Sequence, residues 1–122
     1  MPALNTIPSD KFARLIGIPT GPVLIDVRAD DEFASEPLLI PGTLRRASTD
    51  ISVWASELAG RSAVVACRNG GPLSQGVAAR LRHEGVSTEA LEGGVVGWAA
   101  AGLPMVPNTV LPARDPAAAP YG

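Results

Sequence analysis

"SAVVACRNGGPLSQGVAARLRHEG", residues 62–85, decides the fold. It opens with an apolar run of strand length that ends at Cys67. A run that is apolar at nearly every position suits a strand buried on both faces of a parallel sheet. Gly70, Gly71 and Pro72 then break the pattern. From Ser74 the spacing becomes helical, with Ser74 as N-cap and Gly85 as the C′ stop. Val77, Ala78 and Leu81, with Ala79 at the margin, form the core side of that helix.

The same alternation extends in both directions. "PVLIDVR", residues 22–28, is a second buried strand. Before it, Ser9 caps a helix over residues 10–17, with Phe12, Leu15 and Ile16 on one face and Gly17 as its stop. After it, residues 29–37 read as a polar turn or one helical turn. "LLIPGTLRRAS", residues 38–48, is a short strand interrupted by Pro41-Gly42. Asp50 caps a helix over residues 51–60 whose apolar side is Val53, Trp54 and Leu58. Downstream, "STEAL", residues 87–91, is a short strand, and "EGGVVGWAAAG", residues 92–102, is a glycine-entered helix that closes the domain. From Pro104 the chain turns proline-rich and loses periodicity. The expected organisation is one domain over residues 1–106 and an extended Pro/Ala-rich tail over residues 107–122. Strands alternating with helices predict an α/β domain with a mainly parallel sheet. Such sheets bind ligands beyond the carboxyl ends of their strands. Cys67 and Asp26 both lie near such ends.

Composition agrees with a single domain. The chain has 122 residues, 46% of them hydrophobic and 18% charged. That is enough for one core and too short for two. A net charge of −2 and scattered arginines, with Arg45-Arg46 the one adjacent pair, argue against a nucleic-acid surface. No apolar run approaches the ~18 residues needed to span a bilayer. The N-terminal stretch lacks the basic start and apolar stretch of a secretory signal. The single cysteine cannot form an internal disulfide. A reducing, cytoplasmic setting is therefore expected.

Residues 68–73 curl between a strand end and a helix start. Two glycines permit backbone conformations that turn successive N–H groups inward, into an anion-binding concavity. The helix start adds its positive dipole end. Such a cradle favours the thiolate of Cys67, and the thiolate is the nucleophile. Position alone favours a buried small hydrophobe, and the glycine pair and the helix start bring the two readings level. A phosphate-binding P-loop needs a lysine after its second glycine, and none is present. A cysteine phosphatase needs an arginine at the far end of the loop, where Pro72-Leu73 stands. One Cys and one His make no metal site. His83 reads as a solvent-facing helix residue.

Four stretches together resemble the rhodanese-like sulfurtransferases. "VLIDVRADDEF", residues 23–33, is similar to the family's early strand, and "LIPGTLRRA", residues 39–47, to its apolar-Pro-Gly segment. "VVACRNGG", residues 64–71, resembles the strand that delivers the active-site cysteine. "LEGGVVGWAAAGLP", residues 91–104, is similar to the closing motif. The resemblance covers roughly residues 8–106. It implies a central, mainly parallel sheet flanked by helices on both faces. It also implies a Cys67 persulfide loaded from a donor such as thiosulfate and discharged to cyanide in an assay, or to a thiol or protein acceptor. The backbone of Arg68, Asn69, Gly70, Gly71, Pro72 and Leu73 would hold the persulfide. Asp26 and Arg28 would support the loop. Trp98, with Gly93-Gly94, would pack the last helix against the sheet. No cofactor or metal is implied. The loop departs from the family pattern, which has a polar residue five positions after the cysteine, followed by Ser or Thr. Here Pro72 and Leu73 occupy those places and Ser74 comes one later, so a loop one residue longer, or differently shaped, is expected. With the polar residue missing, a non-catalytic binding or redox-sensing module is the second reading. A phosphatase or arsenate reductase is the third.

Overall fold

A computed structural model describes residues 5–107. Five strands form one all-parallel sheet in the order β1-β6-β5-β2-β4. They are β1 (Thr6–Ile7), β2 (Val23–Asp26), β4 (Leu44–Arg45), β5 (Ser62–Ala66) and β6 (Ser87–Leu91). A separate antiparallel ribbon joins β3 (Leu38–Leu39) to β7 (Val106–Pro107). The helices are α1 (Ser9–Ala13), α2 (Asp30–Ser35), α3 (Ile51–Trp54), α4 (Pro72–His83) and α5 (Gly94–Ala100), and a 3-10 turn (Ala55–Leu58) continues α3.

Strand alternation divides the core in two, because successive side chains point to opposite faces. Ile25, Val27, Ala63, Val65 and Cys67 pack on one face against Trp54 and Leu58 and against Val77, Ala78 and Leu81 of α4. Leu24, Val64 and Ala66 pack on the other face against Phe12 of α1 and Val95 and Trp98 of α5. Helices thus cover both faces, and the near-continuous apolar pattern of β2 and β5 follows from that.

The connections from β2 lead to β4 on one side, and those from β5 lead through α4 to β6 on the other. The carboxyl ends of β2 and β5 therefore flank the point where strand order reverses, and a crevice opens at such a point. Ala66 is in register with Asp26, so Cys67 and Arg28 both emerge there.

Several expectations need correcting. Ser9 and Ser74 are not caps. Pro8 precedes α1, and α4 starts two residues early because Pro72, with no N–H to lose, occupies its first position. Val53 is 73% exposed, because one position before Trp54 it turns away from the helix face that Trp54, Ala55 and Leu58 bury. Ala79 is also exposed. Pro107, expected as the first residue of the tail, pairs with Leu38 in β7, beside Val106 with Leu39. The rest of the expected tail lies outside the described residues.

Candidate active site

Cys67 follows β5 directly and is 5% exposed. Its thiol donates to Ser74 Oγ at 3.1 Å. Ser74 reaches it because α4 starts at Pro72 and places Ser74 in the first turn, facing inward and fully buried. The Ser74 hydroxyl also faces the Gly71 carbonyl at 3.4 Å. Pro72 and Leu73, expected in the loop, are thus helical, and Pro72 has no N–H to offer a ligand. The loop proper is Arg68 to Gly71. The amides of Arg68, Asn69, Gly70 and Gly71 donate to no carbonyl among the described residues. These four amides precede the N-terminal end of a twelve-residue helix, whose dipole end is positive.

The loop is held from behind by the entry to α5. Val95 N donates to Cys67 O and Val96 N to Arg68 O, both at 2.9 Å. This contact requires glycine on both sides. Gly70 (φ +73) has the amides of Gly93 and Gly94 where a Cβ would sit, at 2.7 and 2.9 Å. Gly94 (φ +62) has Cys67 O, Gly70 N and Arg68 O in the same relation. Gly93-Gly94, expected to pack the last helix against the sheet, also brings α5 onto the cysteine loop. Trp98 is fully buried, donates to Pro104 O at 2.8 Å and meets Phe12 edge-on at 6.0 Å.

Asp26 and Arg28 form a buried pair. Arg28 Nη2 lies 2.7 Å from Asp26 Oδ2, and the Arg28 amide donates to Asp26 Oδ1 at 2.8 Å. The same guanidinium donates to the carbonyls of Glu36 (3.2 Å) and Leu38 (2.7 Å), tying the end of β2 to β3. Arg45 joins this group, which the sequence reading missed. It is 7% exposed, stacks over the Phe33 ring at 4.2 Å and donates to Arg28 O at 2.8 Å. Its Nε has no partner among the described residues. Arg45 is in register with Asp26 across β2 and β4, and that pairing is not visible in the sequence.

Arg68 does not share the Cys67 side of the sheet. It lines a cavity of about 210 Å³ with Arg28, Glu36 and Leu38, with Val95, Val96 and Ala99 of α5, and with Met105. Cys67 meanwhile packs in the α3 and α4 core. His83 is exposed, as expected. Among the described residues no three His, Cys, Asp or Glu gather as a metal-binding group, and no helix is long and apolar enough to cross a membrane.

No family model and no curated protein matches the sequence. Solved structures do match. The thiosulfate sulfurtransferase of Pseudomonas aeruginosa aligns over 85% of this chain at 28% identity with a TM-score of 0.69. This chain spans only 19% of the length of that protein. A rhodanese-like domain protein of Staphylococcus aureus aligns over 78% of this chain and 91% of its own, at 22% identity and a TM-score of 0.67. A rhodanese-related protein of Thermoplasma volcanium aligns over 84% and 97%, at 20% identity and a TM-score of 0.71. The chain folds as a rhodanese-like domain.

Proposed function

We propose that this rhodanese-like domain is a sulfurtransferase whose Cys67 carries a sulfane sulfur as a persulfide. The observation that carries the reading is the set of four loop amides, Arg68 to Gly71, that have no carbonyl partner and follow the cysteine directly. Preorganised donors of this kind stabilise charge on a group bonded to the nucleophile. The Cys67 thiolate attacks the outer sulfur of thiosulfate. A new S–S bond forms, the S–S bond of thiosulfate breaks, and sulfite leaves with the bonding pair. In the second half an acceptor attacks the terminal sulfur. Cyanide forms a C–S bond, thiocyanate departs, and the Cys67 thiolate is restored. A cellular thiol or a protein thiol replaces cyanide by the same exchange. No cofactor or metal enters either half. A cytoplasmic setting belongs to the same proposal, because reducing conditions keep a lone thiol free.

The burial of Cys67 favours a second reading, a rhodanese-like module that binds or senses without turnover. Intact mass separates the two. Thiosulfate should add one sulfur, about 32 Da, cyanide should remove it, and Cys67→Ser should take up none. A thiol that alkylates but never gains sulfur from thiosulfate would leave the binding module. Sulfur uptake retained in Cys67→Ser would end the proposal.

A further inference from the structure

The cavity behind the cysteine loop has a chemistry that the sulfur reaction does not use. Its walls are apolar: Leu38 of β3, Val95, Val96 and Ala99 of α5, and Met105 ahead of β7. Three charged residues line it. The guanidinium of Arg28 is committed to Asp26 and to two carbonyls. Arg68 and Glu36 are exposed, and neither side chain makes a hydrogen bond or ion pair with a described residue. One free cation and one free carboxylate therefore border a small apolar chamber.

We propose that this cavity binds a small apolar amino acid in its zwitterionic form. The carboxylate meets Arg68 and the ammonium meets Glu36. The aliphatic side chain lies on Val95, Val96 and Ala99. A volume of about 210 Å³ is the liquid share of roughly seven waters, near 30 Å³ each, which matches a molecule of leucine size with its polar end at the mouth. A simple anion would leave Glu36 opposed to it, and a simple cation would leave Arg68 so. A zwitterion satisfies both. The ligand is not the sulfur acceptor, because Cys67 packs on the opposite face of the sheet. It instead bears on the loop from behind, where Val95 N and Val96 N hold Cys67 O and Arg68 O.

Leucine is the probe, titrated into the full chain with backbone amides followed by NMR. Saturable shifts at Val95, Val96 and Ala99, with a Kd on the order of 1 mM, are expected. 4-Methylpentanoate, which lacks the ammonium, and 3-methylbutylamine, which lacks the carboxylate, should each bind roughly fivefold more weakly. Arg68→Gln and Glu36→Gln should each weaken leucine by a similar factor. No saturation by leucine at roughly ten times that concentration would overturn the site. Equal binding of 4-methylpentanoate, or undiminished binding in both variants, would overturn the zwitterion and the proposal with it. The readout is binding alone, so failure here leaves the persulfide reading untouched.

Discussion

Cys67 and Ser74 are joined side chain to side chain, thiol to hydroxyl, at 3.1 Å. The joint exists because α4 begins at Pro72 and not at Ser74. When the sulfur is an anion, the pair must reverse: the hydroxyl becomes the donor. Its 3.4 Å contact with Gly71 O is long enough to give up.

Ser74→Ala should therefore slow sulfur uptake more than it weakens the fold. A hydrogen bond to a charged group is worth about 1.5–3 kcal/mol, so a loss of roughly tenfold or more in rate is expected. The stability cost should stay near 1 kcal/mol. Thiocyanate formation and urea unfolding, measured on the same preparation, check the two figures. An unchanged rate would remove Ser74 from the site.

Gly94 and Gly76 should respond to alanine with opposite signs. Gly94 has positive φ, and the backbone of the cysteine loop occupies its Cβ position. Gly94→Ala should cost about 3 kcal/mol or more and displace the loop, with sulfur uptake lost alongside. Gly76 lies inside α4 with nothing within 4 Å of a Cβ. Gly76→Ala should stabilise by about 0.5–1 kcal/mol. Paired thermal melts decide it.

The Asp26–Arg28 pair should behave as a unit. Each side chain is about 2% exposed, and removing one strands the other charge. Asp26→Ala should cost about 3–5 kcal/mol. Adding Arg28→Met to it should cost less than the two single changes summed, since the stranded charge is gone. A double-mutant cycle by denaturant unfolding measures the coupling, and strict additivity would contradict the pairing.

Val53→Lys should be nearly silent. At 73% exposure the side chain has little apolar area to lose. A change within about 0.5 kcal/mol is expected. A large loss would restore Val53 to the core, where its residue type alone had placed it.

These cases show what could be read from residues alone. The β5–loop–α4 unit was legible because an apolar run, a glycine pair and a helical stripe follow one another over residues 62–85. Gly93 was legible as a helix entry, but its contact with Gly70 was not, because it joins segments distant in sequence. The two-residue strands β1 and β7 are too short to show a period, and only their partners define them. Pro72 at a first helical turn was a readable start signal, and missing it also hid the depth of Ser74. Arg45 was missed because a charge in a strand looks like surface until Phe33 covers it.

The β3–β7 ribbon has a kinetic meaning. It joins residues 38–39 to residues 106–107, so forming it before the rest of the domain would close most of the chain into one loop. Closing so long a loop costs entropy that two residue pairs repay poorly. The ribbon is thus among the last parts to form and the first to open, and its amides should exchange with solvent ahead of those in β2 and β5. Leu38 is at that ribbon and also in the wall of the cavity. One wall of the chamber can therefore part while the sheet that carries Cys67 stays closed.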